Sequence, residues 1–319
     1  MIRVKNESSP IIERYRSLRM KANEVFRQTI KFVWMKLALG GCAIAFSIVL
    51  GLILMAVSAL DDNGVVAVYA LVIWFCLSVA AVGISQYYLG YLLKAGHIAV
   101  VTALVTTGSL PENAFAYGIE TVKKKFATAA AYFAVDRLVS GAVKQINSGL
   151  DVVGNILGKI PGMESVVSFA KSFVNIALGN VDECCLAYTF YHAEQSAFKS
   201  AADGVVIYFQ NWKTVLKDAL KTAFVAFIVS VAAGLLLFLV TIGALGLLGM
   251  PGLGVFFVSL MLTMMIVLIV KSAVMDSYTM VCMVCSYMQV APSTEITFDL
   301  YDKLCGLSSK FKSLFQRAA

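Results

Sequence analysis

Two acids stand side by side in an otherwise apolar stretch, Asp182 and Glu183, inside a run from Glu164 to His192 that reads as one long helix. Carboxylates are costly in hydrocarbon, so such a pair marks a path for a cation, whether a proton, Na⁺ or a quaternary ammonium. The competing reading puts the helix at the membrane interface with both acids in water. Lys271 and Asp276 interrupt a second apolar stretch. Five positions apart on an α-helix, they lie roughly 140° from each other and do not pair along one face. Asp276 is then expected to face a neighbouring helix or a cavity. Alternatively the two mark the end of the last span, with Lys271 snorkelling. Tyr87 and Tyr91 cluster with Gln86, Tyr88 and His97. Their ring faces suit a quaternary ammonium, and they equally suit an aromatic belt at the membrane interface.

Other constellations carry less. Cys282 and Cys285 sit among methionines, a soft donor set that suits Cu(I). They lack nearby His and a second Cys pair, so packing explains them and no metal is expected. No GxSxG, HExxH, Walker A or GxGxxG pattern occurs, and the only histidines, His97 and His192, are far apart. Neither a catalytic residue nor a cofactor is expected, and the seven cysteines form no spaced disulfide framework. Gly243, Gly246 and Gly249 recur every third residue and predict close helix contact.

The elements that must position these residues follow from composition. Of 319 residues, 60% are apolar and 14% charged, with a mean hydropathy of +0.82. That is too little charge for a soluble surface and too much apolar side chain for disorder. The net charge of +7 would raise nucleic acid as a partner in a soluble chain. Here the basic residues flank apolar blocks, so lipid headgroups are the expected partner and nucleic acid is not.

Residues 1–36 read as a basic amphipathic helix, capped by Ser9-Pro10 and carrying nine Lys or Arg. A solvated charged helix fits them equally. Uncharged blocks at 37–60, 65–93 and 222–250, and an apolar one from 255 to about 278 interrupted only by Lys271 and Asp276, each exceed the roughly 20 residues needed to span. The turns Asp61-Asp62-Asn63-Gly64 and Pro251-Gly252-Leu253-Gly254 carry no Lys or Arg, which predicts both chain termini on the cytoplasmic side. No cleavable leader is expected, since the first apolar block is too long for one.

Residues 94–221 hold 12 Lys or Arg and 10 acids. They read as amphipathic helices, including 118–145, 150–160 and 200–221. Tyr208 and Trp212 are expected at the interface. The uncharged stretch 95–110 has the length of a re-entrant, half-spanning or buried helix. The tail 291–319 patterns as an amphipathic helix on the cytoplasmic face. The predicted organisation is a basic helix (1–36), a transmembrane hairpin (37–93), an amphipathic region (94–221), a second hairpin (222–290) and a tail helix (291–319).

One stretch resembles a known family. Ser200-Ala201-Ala202-Asp203, then Asn211, just before an apolar span, is similar to a motif of the choline transporter-like family. Val274-Met275-Asp276-Ser277 and Cys282 in the last span are similar as well. The resemblance covers about the C-terminal third, and the chain lacks the large early loop of that family's animal members. It implies a related membrane architecture and an organic cation as solute; it assigns no substrate-binding residue.

The expected fold is an all-α polytopic membrane bundle of four spans plus amphipathic, interfacial or half-buried helices. The expected function is a transporter or permeation pathway for a small cationic or polar solute, with Asp182, Glu183 and Asp276 supplying negative charge and Tyr87 and Tyr91 supplying ring faces. Two alternatives stand beside it. One is a non-transporting scaffold that binds lipid surfaces or a partner protein. The other is a channel formed between copies of the chain.

Overall fold

A computed structural model of the chain describes residues 22–60, 65–126, 129–150, 181–247 and 252–317. It is 91% helical, and no strand occurs among the described residues. In chain order the α-helices are α1 (Ala22–Gln28), α2 (Ile30–Ser58), α3 (Val65–Ile84), α4 (Gly90–Thr107), α5 (Ala114–Lys125), α6 (Ala129–Leu150), α7 (Val181–Tyr191), α8 (Ala197–Gly246), α9 (Gly252–Val270), α10 (Asp276–Val290), α11 (Phe298–Leu307) and α12 (Ser309–Gln316). Two π-helical turns interrupt this order, π1 (Ser85–Leu89) before α4 and π2 (Lys271–Met275) before α10. The expected helix at Ser9-Pro10, the stretch 150–160, the part of 164–192 before Val181 and the first turn between spans lie outside the described residues.

Among the described residues five helices are long and apolar enough to cross a membrane: Ile30–Ser58, Val65–Ile84, Gly90–Thr107, Phe224–Gly246 and Gly252–Ser293. The protein is thus a multi-pass integral membrane protein with an all-α bundle. The chain forms two compact units. Unit 1 takes Met1–Thr29, Ala95–Phe224 and Tyr278–Ala319; unit 2 takes Ile30–Lys94 and Val225–Ser277.

Unit 2 turns its apolar side chains outward. Only 17% of α2 and of α3 is buried, as befits helices solvated by lipid rather than by protein. Between them the contact is polar and close. Ser47 and Ser78 share a hydrogen bond of 2.7 Å, and the Trp74 indole N–H donates to the Ser47 carbonyl at 2.8 Å. A side chain on Gly40 would meet Ile269 at 2.2 Å, so α2 and α9 approach through a missing Cβ. The expected small-residue stripe on α8 does not do this. Gly243 and Gly246 have no neighbour near enough to need a glycine, and Gly249 lies outside the described residues.

Two helices of unit 2, α3 and α9, are continued in the same order. An α-helix of 20 residues (α3) or 19 (α9) leads into a five-residue π turn and then a further α-helix. No repeat is visible in the residues themselves, because lipid-facing positions tolerate any large apolar side chain.

Unit 1 is built the opposite way. The window over α4 is 67% buried, and its residues Ala95, Ile98–Val101 and Leu104 are core. The stretch 95–110 is thus packed inside unit 1 while keeping the length and composition of a candidate span. Tyr208, expected at an interface, is also fully buried. α7 runs through this core with Glu183–Thr189 all buried. α7, α8 and α10 meet at Gly204, whose Cβ would lie 3.0 Å from the Cys185 Cα and whose carbonyl accepts the Tyr287 hydroxyl at 3.1 Å. Where α4 passes α5, a Cβ on Gly118 would stand 2.6 Å from the Gly96 carbonyl oxygen.

The tail is two helices, and its apolar side belongs to the core of unit 1 rather than to an open face. Leu304, Phe311 and Leu314 are buried. Gln145 of α6 gathers the segment: its carbonyl oxygen accepts from the Ser308 hydroxyl at 2.7 Å and the Lys310 N–H at 3.1 Å. Ser308 in turn caps α12 by accepting the Phe311 N–H.

Candidate functional site

The expected site residues divide between the units. Asp182 and Glu183 occupy the first turn of α7 in unit 1, where the helix N-terminus favours negative charge. Asp182 is half-buried and Glu183 only 2% exposed, so Glu183 does not face water as an interfacial helix would have it. Asp276, Tyr87 and Tyr91 belong to unit 2. Tyr87 lies on π1, with its side chain outside the described residues, and Tyr91 is half-buried at the start of α4.

Asp276 differs most from expectation. The Lys271 ammonium donates to its carboxylate at 2.8 Å, with the two side chains 47% and 49% exposed. The α-helical spacing that separates them does not apply, because 271–275 is a π turn. Its i→i+5 bonding brings the fifth residue back over the first. Asp276 therefore holds a lysine at a half-exposed surface.

Lys36, read in the sequence as one of the flanking basic residues, is buried in unit 2 and donates to the Ser277 hydroxyl at 2.8 Å. Two cavities of unit 2, of about 270 and 470 Å³, flank Trp74 and are lined almost wholly by aliphatic, methionine and aromatic side chains; Asp276 lines neither.

A second acid, as enclosed as Glu183, is Asp203, to which the sequence assigned no role beyond its place in the Ser-Ala-x-Asp motif. It lies on α8 in unit 1 and is 2% exposed. The Tyr301 hydroxyl of α11 donates to its carboxylate. The Lys199 ammonium, half-exposed one turn earlier, stands 3.7 Å away. Aromatic groups lie near it. Tyr188 meets His192 at a tilt with centroids 4.4 Å apart and Tyr287 edge-on at 6.5 Å, and His192 also meets Tyr191 at 4.8 Å. The titration behaviour reports this enclosure. Burial, reinforced by the Asp203 charge, pushes the Tyr188 phenol up to about 12. Burial and the hydrogen bond to Asp203 push Tyr301 up as well. Burial lowers His192, with Asp203 opposing and Lys125 adding to the shift. A visible signal existed: Asp203 is the lone acid between Ala201 and Phe209, a stretch otherwise apolar or glycine.

Lys125 closes the neighbouring end of α7. Its ammonium donates to the carbonyls of His192, Ala193 (3.3 Å) and Gln195 (2.7 Å), which follow the last turn. Its burial lowers its pKa, opposed by Glu194. Among the described residues no three His, Cys, Asp or Glu side chains converge as a metal site.

Chemically, the Asp203 centre offers a fixed carboxylate, phenolic hydroxyls and ring faces, the groups that recognise a cation. No family model matches the chain, and neither the curated proteins nor the solved structures contain a match.

Proposed function

We propose that the protein is a transporter or permeation pathway for a small cationic or polar solute, with choline the first candidate because of the resemblance of its C-terminal third to the choline transporter-like family. The observation that carries this reading is Asp203, a buried acid in unit 1 that accepts the Tyr301 hydroxyl and lies near enough to Tyr188 and His192 for its charge to act on both. A buried carboxylate is expensive to maintain, and one near ring faces is suited to a cation. Asp182 and Glu183 add negative charge in the same unit. The basic N-terminal segment and the absence of Lys and Arg from the two turns support cytoplasmic termini.

The test is uptake of radiolabelled choline by proteoliposomes. Wild type should exceed empty vesicles, and Asp203→Asn should lower uptake at least tenfold while leaving the thermal midpoint within a few degrees. Uptake by wild type no greater than by empty vesicles rejects the reading.

A scaffold that binds lipid surfaces is the second reading. It is favoured by the apolar lining of both cavities described in unit 2 and by the pairing of Asp276 with Lys271. Enzymatic activity forms no part of either proposal.

A further inference from the structure

The larger apolar cavity of unit 2 is a groove whose last lining residue on α9, Leu268, stands three positions before Lys271, the cation of the Lys271–Asp276 pair. One wall is α3, through Phe75, Val79 and Val82; the other is α9, through Phe257, Met264 and Leu268. Buried Trp74, Met261 and Met265 form the floor. From Phe257 to Leu268 it runs about 17 Å at 1.5 Å per residue, against about 15 Å for half of a hydrocarbon core. It therefore has the length of one leaflet's acyl chain.

Apolar lining alone does not retain a lipid, because acyl chains are as apolar as the leucines they would replace. The neighbouring ion pair makes the difference. On an α-helix, Phe257, Met264, Leu268 and Lys271 fall on one face at spacings of seven, four and three. The groove thus leads along α9 to the Lys271 ammonium, whose partner is the Asp276 carboxylate. Both side chains are half-exposed, so the pair is weak and open to exchange with outside groups. It presents one positive and one negative group 2.8 Å apart, the complement of a zwitterionic headgroup.

We propose that this groove binds one zwitterionic phospholipid, with an acyl chain between Phe75 and Met264, the phosphate on Lys271 and the headgroup ammonium on Asp276. The phosphate takes a charge-assisted hydrogen bond from Lys271 while the lipid amine replaces that lysine at the carboxylate. The site is independent of the transport reading and of Asp203.

The test is native mass spectrometry of the full chain, delipidated in detergent and titrated with phosphatidylethanolamine or phosphatidylglycerol. Wild type should retain one phosphatidylethanolamine, at least threefold in preference to phosphatidylglycerol. Lys271→Gln should lower retention of both at least fivefold. Asp276→Asn should abolish or reverse the preference. Leu268→Trp, at an exposed position that a larger ring can occupy, should lower retention and leave the headgroup preference intact. Equal retention by wild type and all three variants would mean annular lipid only and overturn the proposal. So would a dimer that Leu268→Trp dissociates, since a second copy would then be the occupant of the groove.

Discussion

Units 1 and 2 use the same side chains to opposite ends. Leu236 and Leu239 in unit 2 are largely exposed, whereas Leu304 and Leu314 in unit 1 are buried to the last few per cent. In lipid, an apolar side chain gains little by turning inward, so unit 2 is held by hydroxyl pairs, an indole N–H and glycine contacts. Unit 1 instead turns its apolar side chains inward, into a dense core that includes Tyr208, Met283 and Cys185. The same contrast governs charge. Asp203 and Glu183 are enclosed in unit 1, while the Lys271–Asp276 pair of unit 2 stays at a half-exposed surface.

The contrast breaks first on truncation. Phe311→Ala in unit 1 should cost about 3–5 kcal/mol, whereas Leu236→Ala in unit 2 should cost about 0.5 kcal/mol or less. Thermal unfolding in nanodiscs, read by a thiol-reactive dye that reaches Cys184 and Cys185 only on opening, measures both. Equal costs would end the distinction between an inward-packed core and an outward-turned bundle.

Lys125→Met should rank next. It leaves three carbonyls after α7 without their ammonium, at about 1.5–3 kcal/mol. Hydrogen exchange should rise in α7 and leave α2 and α3 unchanged.

Ser47→Ala tests the polar seam of unit 2. Interhelical hydrogen bonds in membranes average about 0.6 kcal/mol, so a small loss in the same unfolding assay is expected. A loss of several kcal/mol would show that the hydroxyl pair with Ser78 dominates the hairpin.

The smallest effect is the pH response of His192. Its pKa is lowered in the folded state, so the unfolded chain binds more protons as pH falls. Its contribution to stability is complete above the ordinary imidazole value of about 6.5 and is lost as pH drops through the folded value. His192→Gln should flatten the stability profile between pH 7 and pH 5.

Much of the bundle was legible in the residues. Blocks such as 65–84 and 252–270 are long and uncharged, and length with polarity alone decides what crosses a bilayer. The middle was not. The stretch 95–110 has the composition of a short span, and only its packing against the rest of unit 1 makes it a core helix. The tail pattern Leu304, Phe311, Leu314 correctly predicts one apolar face but not what covers it. Asp276 misled because helical spacing was counted as α throughout, and no residue in Lys271–Met275 signals a π turn.

From its residues alone, then, this chain is an all-α polytopic membrane protein, because hydrophobic length, missing charge and backbone satisfaction in lipid leave few other solutions. Only the tertiary structure decided which acids are enclosed and which merely hold a lysine. It did so because burial depends on which helices meet: Asp203 comes under Tyr301, nearly a hundred residues later in the chain, and Lys271 reaches Asp276 through one extra residue in a helical turn.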